Sequence, residues 1–244
     1  MKYCIFSDIH GNLEALTAVL RQIEEINPDR VVCLGDVVGY GPNPNECIER
    51  VHQVADVTIM GNHDHAVLGL TDITYFNQYA KIAVLWTRQV LTQENVTILK
   101  SYPFQVSQDE ILFVHSTPLH PERWDYIFSP LEGKYYLQHL QEHICFIGHS
   151  HQPLFFEEDA QGFVTFDRQQ TFSLSLQDHC KYIVNIGSVG QPRDGSPSAS
   201  FAVYDTTEQQ VEVKRIPYNY TLTQKKMTEL QLPEFLIDRL AYGR

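Results

Sequence analysis

The chain has 244 residues, 43% of them hydrophobic and 20% charged, enough apolar material for a sizeable core without staples and unlike a disordered segment. Its 30 acidic and 18 basic residues give a formal net charge of -12, and no basic cluster is denser than Lys225-Lys226, which opposes a long nucleic-acid backbone as partner. No apolar run approaches the ~18 residues of a membrane span, and the five cysteines, Cys4, Cys33, Cys47, Cys145 and Cys180, are odd in number and lack any C-x-x-C pair, against both a disulfide framework and a structural zinc site. We expect a reducing, cytoplasmic setting and one domain over residues 1–244, with 206–244 as a C-terminal strand and helix extension.

In chain order, the run YCIF ends in SDIHGN (Ser7 to Asn12). From Leu13 to Ile26, Leu13, Leu16, Leu20 and Ile23 share one helical face, with Asn12 as N-cap. Asn27-Pro28 stops that helix and RVVCL starts a second strand, a βαβ unit whose strands run parallel. GDVVGYG (Gly35 to Gly41) follows, and then a short helix with Ile48, Val51 and Val54 on its apolar face. VTIM delivers GNHD (Gly61 to Asp64), and a longer helix is predicted from about Asp72 to Leu91, with Tyr75, Phe76, Tyr79, Ile82, Ala83 and Trp86 as a core stripe.

PFQVS and EILFV read as a hairpin, so the sheet is no longer purely parallel from there. VHSTP (Val114 to Pro118) ends it, and the irregular stretch Leu119 to Phe128 leaves directly from that turn, placed to overhang what the turn binds, before a helix near Leu131. ICFI leads into IGHSH (Ile147 to His151), and strand-like LFFEE, FVTFD, YIVNIGS, FAVYD and QVEVKRI follow. Leu232 to Gly243 reads as a short helix, with Phe235, Leu236 and Leu240 packing on its own domain or on a neighbour. Short strands late in the chain, after a βαβ opening, predict two stacked sheets with helices outside.

Five turns thus carry polar, metal-competent residues, each just after a buried strand. Asp8 and His10 lie two residues apart and can share one ion, and Asp36, at the next strand end, offers two oxygens that can bridge two cations about 3.5–4 Å apart. Asn62, His115, His149 and His151 complete two coordination spheres of mixed nitrogen and oxygen without thiolate. That set suits two divalent transition-metal ions, Mn first, with Fe, Ni or Zn as alternatives, rather than Ca or Mg. A hydroxide bridging such ions is a nucleophile toward phosphorus at neutral pH. His63, beside Asn62 but free, is the candidate general acid for the leaving alkoxide, with Asp64 expected to hold its other ring nitrogen. His65 is read as structural.

D-x-H, G-D, G-N-H-D, H and G-H-x-H in this order resemble the calcineurin-like metallophosphoesterase superfamily, and GDVVGYGPNPNECIE, IGSVGQPRDG and LPEFLIDRLAYG resemble its compact bacterial and archaeal phosphodiesterase branch. The resemblance implies a four-layer α/β/β/α sandwich of two mixed sheets flanked by helices. It implies one ion on Asp8, His10, Asp36 and His151, a second on Asp36, Asn62, His115 and His149, and His63 as acid. The chain departs from the family pattern with HSTP for HGSP and HSH for HTH, neither of which removes a ligand. GDVVGYG also lacks the arginine of G-D-x-x-D-R-G, which argues against a protein phosphatase and leaves Arg193 to grip a phosphate or nucleotide, or else to pair with Asp194. The expected partner is a small phosphoester or nucleotide, a phosphodiester or dinucleoside polyphosphate in particular; the alternative is a non-catalytic phosphate-binding or scaffold protein on the same fold, against which the retained His63 and ligand set weigh.

Overall fold

The computed structural model describes residues 1–244 as two six-stranded sheets packed face to face with helices outside them. In the first half, β1 (Lys2–Phe6), α1 (Leu13–Ile26), β2 (Arg30–Cys33), α2 (Pro44–Val54), β3 (Val57–Thr58) and α3 (Asn62–Val67) alternate strand and helix. Then come α4 (Gln78–Val90), α5 (Gln93–Lys100), the hairpin β4 (Gln105–Gln108) and β5 (Ile111–Val114), and α6 (Pro130–His139). The second half runs through β6 (Ile144–Ile147), β7 (Leu154–Glu158), β8 (Val164–Asp167), β9 (Phe172–Ser175), β10 (Lys181–Asn185), β11 (Ala199–Asp205) and β12 (Gln210–Ile216) to α7 (Tyr220–Glu229) and α8 (Glu234–Asp238). The sheets are ordered β3-β2-β1-β11-β12-β9 and β4-β5-β6-β10-β7-β8, both mixed.

Alternation of side chains builds the layers. In β1, Tyr3 and Ile5 point into the core between the sheets while Cys4 and Phe6 face the layer of α1 and α2. In β6, Ile144 and Phe146 point inward and Cys145 and Ile147 outward, toward α6. All five cysteines are buried and unpaired, packing as small hydrophobes. Phe146, fully buried, stacks on Phe113 with ring centroids 6.0 Å apart. Phe146→Ala is expected to lower unfolding stability by about 3–5 kcal/mol, read from the midpoint of urea denaturation.

Register brings the turns to one edge. Phe6 pairs with Cys33 and Cys33 with Thr58, while Phe113 pairs with Phe146 and Asn185 with Ile147. The first three strands therefore end level with one another, and so do β5, β6 and β10.

Three expectations need correction. The single helix over 72–91 is instead a 3-10 turn at Ile73–Tyr75 followed by α4, because Asn77 caps the new helix through its side-chain oxygen. The inner face of α4 becomes Ala80, Ala83, Val84 and Thr87, and Tyr75, expected in the core, is 91% exposed. The expected C-terminal helix is shorter, α8 followed by a 3-10 turn at Arg239–Ala241; it buries Leu236 and Leu240 against Tyr40 and α4 but leaves Phe235 half exposed. The strand VTIM shrinks to Val57–Thr58. No helix is long and apolar enough to cross a membrane.

Candidate metal centre

Six side chains meet at the shared edge, with Asn62 at the start of the neighbouring helix. Asp8 and His10 follow β1, Asp36 follows β2, Asn62 opens α3, His115 follows β5, and His149 and His151 follow β6. Asp8, His10, Asp36 and His151 bring ligand-type atoms within 4.8 Å of one another, and Asp36, His115 and His149 do the same. Asp36 belongs to both sets. Its Oδ2 lies 3.6 Å from His10 Nε2 and 3.4 Å from His115 Nε2, and Asp8 Oδ1 lies 3.2 Å from His151 Nε2. Asn62 Oδ1 is buried with no hydrogen-bond partner.

The turns reach this convergence by strained backbone. Asp8, His10, Asp36, His149 and His151 all have left-handed φ, between 50° and 64°, a region that disfavours non-glycine residues by roughly 1–2 kcal/mol each. Bonds between neighbouring turns hold them there: Asp8 N–H donates to Gly35 O, His10 N–H to Asp36 O, and Gly190 N–H to Asp8 O, each at 2.9 Å. Gly61 is needed where α3 begins, because a Cβ there would lie 2.2 Å from Asp36 Oδ1. That closeness lets His63 N–H donate to the same oxygen at 2.8 Å.

Hydrogen bonds at the far side of each imidazole fix its tautomer. His10 Nδ1 faces Val38 O at 3.1 Å, His151 Nδ1 faces Gln191 O at 2.6 Å, His115 Nδ1 faces Leu34 O at 2.8 Å, and His149 Nε2 faces Trp124 O at 2.9 Å. A carbonyl only accepts, so each of those nitrogens carries the hydrogen and the opposite nitrogen of a neutral ring presents a lone pair. His10 Nε2 and His151 Nε2 then face each other at 3.1 Å with no hydrogen between them. His115 Nε2 and Asp8 Oδ1 are buried without a hydrogen-bond partner. Opposed lone pairs and orphaned buried acceptors are relieved by a cation, and these residues fit divalent metal ions.

Burial sets the electrostatics. It pushes His63 down to about 4 and His149 down to about 3, and lowers His10 and His151 too, so these rings are neutral, as metal ligation by His10, His149 and His151 requires. His115 differs: burial would lower it, but Asp36 and Asp8 outweigh that and raise it to about 9. Burial would also raise Asp8 and Asp36, yet the facing imidazoles, His151 first for Asp8 and His115 first for Asp36, hold both below the usual carboxylate range.

His63 lies edge-on to His10 at 4.9 Å between centroids and against Tyr40 at 4.4 Å, with Nδ1 unpartnered. The expected bond from Asp64 to that ring is not made. Both Asp64 oxygens are engaged by backbone, Oδ1 by Val38 N–H and Oδ2 by Gly61 N–H, each at 3.1 Å, so Asp64 ties the GNHD turn to the GDVV turn. Gly39 stands against His63 instead, with φ +93° and room for no Cβ, which would fall 2.6 Å from Nδ1. His65 bonds Thr71 Oγ1 at 2.6 Å, outside the cluster. Arg193 does not pair with Asp194, whose carboxylate pairs with Arg215. Its guanidinium donates to Gln191 Oε1 at 2.9 Å and sits 6.0 Å from the centre of the Tyr40 ring.

The sequence reading missed the braces. Ser188 Oγ donates to Asp8 O at 2.8 Å, Asn185 Nδ2 to Gly148 O and Ser150 Oγ, and Trp124 O holds His149. For Ser188 the string IGSVGQP was the visible signal. The 119–128 stretch does lie over the site, where Tyr126 stacks on His149 with centroids 4.1 Å apart.

Residues 1–209 match the family described as the Calcineurin-like phosphoesterase superfamily domain. Over 246 residues the chain is 39% identical to "Uncharacterized protein MJ0912" of Methanocaldococcus jannaschii, covering 98% of this chain and 97% of that one. A metallophosphoesterase from Sphaerobacter thermophilus superposes with a TM-score of 0.88 at 38% identity, over 100% of this chain and 99% of that one. Phosphodiesterase YfcE of Escherichia coli is more distant, 25% identical over 135 residues, 49% of this chain and 70% of its own. Because the family match spans every turn that feeds the carboxylate and imidazole cluster, the chain belongs to the calcineurin-like phosphoesterase superfamily and is a metal-dependent phosphoesterase, a hydrolase.

Proposed function

We propose that the two ligand sets hold two divalent transition-metal ions, Mn²⁺ first and Fe, Ni or Zn as alternatives, and that the protein hydrolyses small phosphoesters, phosphodiesters or dinucleoside polyphosphates above all. The observation that carries this reading is the Asp36 carboxylate shared by the two sets, with imidazole nitrogens turned toward it. When bound, such ions supply Lewis acidity that brings the pKa of water toward neutrality and offset the charge of the phosphoryl group. On this reading Asp8, His10, Asp36 and His151 hold one ion, and Asp36, Asn62, His115 and His149 the other.

The remaining steps fall to the chain's own groups. His63 gives its proton to the leaving alkoxide; burial keeps the ring neutral at rest, and the negative charge of an arriving phosphoester favours its protonated form. Asp64 acts on His63 only through the backbone, by fixing the turn that carries it. Arg193, with a buried Nε lacking any partner, offers its fork to a phosphate oxygen. Tyr126 and the 119–128 stretch limit water and the size of what enters. The net charge of -12 disfavours a polymeric nucleic acid.

The test is hydrolysis of bis-p-nitrophenyl phosphate beside p-nitrophenyl phosphate by metal-stripped protein, with Mn²⁺, Fe²⁺, Ni²⁺ or Zn²⁺ added back. The expected result is no turnover without metal, recovery with Mn²⁺, and faster cleavage of the diester. Failure of every metal to restore cleavage of either ester would sink the proposal.

A further inference from the structure

Two large aromatic side chains of the 119–128 stretch are left in solvent: Tyr126 is 44% exposed and Phe128 43%. Ile127 between them is buried in one cluster with Tyr136 and Leu137 of α6, so the chain turns one residue in and its two neighbours out. A single exposed ring needs no explanation, but these two are part of a series. The Tyr126 ring lies 4.1 Å from that of His149, with the planes 16° apart, and 5.3 Å from that of Phe128, with the planes 12° apart. Three rings thus run nearly parallel from a candidate metal ligand to the surface. Tyr75, Phe163 and Tyr242 are more exposed still, yet none of them packs on a ring of the metal centre.

The series is held at both ends. His149 Nε2–H donates to Trp124 O at 2.9 Å, which ties the first ring to the stretch that carries the other two. Beyond the last ring, the amides of Phe128 and Ser129 both donate to Glu132 Oε2 at 2.9 Å, and the Ser129 hydroxyl caps α6. Side chains fixed in this way lose little freedom when something settles on them. A parallel stack that ends in solvent offers a flat π face, which another flat ring covers fully and an alkyl group only in part.

We propose that Phe128, backed by Tyr126, is a stacking platform for the nucleobase of the substrate. The inference rests on the phosphoesterase reading above and deepens it by naming what the substrate carries besides its reacting phosphate. Two ring-to-ring steps, of 4.1 and 5.3 Å, separate His149 from Phe128, and a base on the outer face of Phe128 is one step farther out. A further phosphate between the sugar and the reacting phosphorus supplies that reach. Preferred substrates are then nucleoside diphosphate esters and dinucleoside polyphosphates, whereas short alkyl esters bind without using the platform. Every base has a π face, so the platform tolerates purines and pyrimidines alike.

The experiment measures binding of ADP and methyl diphosphate to Mn²⁺-loaded protein by calorimetry at fixed free Mn²⁺. Both ligands carry a diphosphate, and only ADP carries a base. The expected result is that ADP binds the unaltered protein about tenfold or more tighter, and that Phe128→Leu, which keeps apolar bulk and removes the flat ring, takes most of that advantage away with little effect on methyl diphosphate. Phe128→Trp, which enlarges the face, is expected to keep or increase the preference and serves in its place if the leucine variant does not fold. Equal affinity for the two ligands in the unaltered protein, equal weakening of both by Phe128→Leu, or loss of the preference in Phe128→Trp would overturn the platform. Turnover of bis-p-nitrophenyl phosphate by the unaltered, Mn²⁺-loaded protein separates the two ideas: cleavage without an ADP preference sinks only the platform, whereas an ADP preference without cleavage of any ester sinks the hydrolytic reading.

Discussion

Asp36→Asn is expected to remove essentially all metal-dependent hydrolysis, a loss of at least about 10³-fold in kcat, because the rate contribution of such ions is several kcal/mol and tenfold corresponds to about 1.4. The substitution keeps the shape and therefore isolates the charge. Asp36 is the side chain common to both candidate ligand sets, and its two oxygens have separate tasks: Oδ2 faces His10 and His115, while Oδ1 anchors the His63 amide. An amide in that place presents one oxygen and one NH₂, so at least one of these faces meets a donor where it needs an acceptor. The effect should also appear in stability. For the unaltered protein, saturating Mn²⁺ at about a hundred times its dissociation constant should raise Tm by roughly 5–10 °C, and the variant should show little of that rise. An Asp36→Asn protein with an undiminished metal-dependent rise would show that the ions, if bound, are held elsewhere.

Gly39→Ala is the second large effect, and it acts without touching a ligand. A methyl group there would fall 2.6 Å from His63 Nδ1 and 3.0 Å from its Cγ, and the backbone sits at φ +93°, where alanine is strained. The ring must move. General acid catalysis contributes about 10²–10⁴-fold, so kcat is expected to fall by about that factor on esters with alkoxide leaving groups. With p-nitrophenolate, which departs without a proton, the fall should be much smaller. His63→Ala should give the same pattern, and the double variant should be little worse than either single one, because both remove one function. Retained Mn²⁺ binding by both proteins is part of the expectation. A Gly39→Ala enzyme that cleaves a poor leaving group at the normal rate would remove His63, or its packing on Gly39, from the mechanism.

Much of this was legible in the sequence because β-strands that are buried on both faces announce themselves as short unbroken apolar runs, and the polar residues that interrupt them must sit at strand ends. YCIF before Asp8 and ICFI before His149 are such cases, and the structure brings both turns to one edge. Helix boundaries were less legible where a cap competes with periodicity. Asn77 starts a new helix inside an apolar pattern that reads as continuous, and α5, capped by Thr92, was overlooked for want of a longer stripe. Strand β9 was missed because FSLS shows its inner residues only when paired with β12. Asp64 was misread for a different reason: a carboxylate next to a histidine in sequence points away from it on a helix, here toward backbone amides of two turns.

Each candidate ion site draws on both sheets. Asp8, His10 and Asp36 hang from the sheet of β1 and β2, His115, His149 and His151 from the sheet of β5 and β6, and no complete set belongs to either sheet alone. Ions seated there act as a rivet through the open end of the sandwich. The apolar core between the sheets can slide or part with only a gradual loss of contacts, whereas ligand bonds of fixed length break all at once. Loading with metal would therefore change the mechanics of the molecule as well as its chemistry: it would turn two layers held by a soft, greasy seam into a hinged clasp, locked at the edge where the six side chains converge.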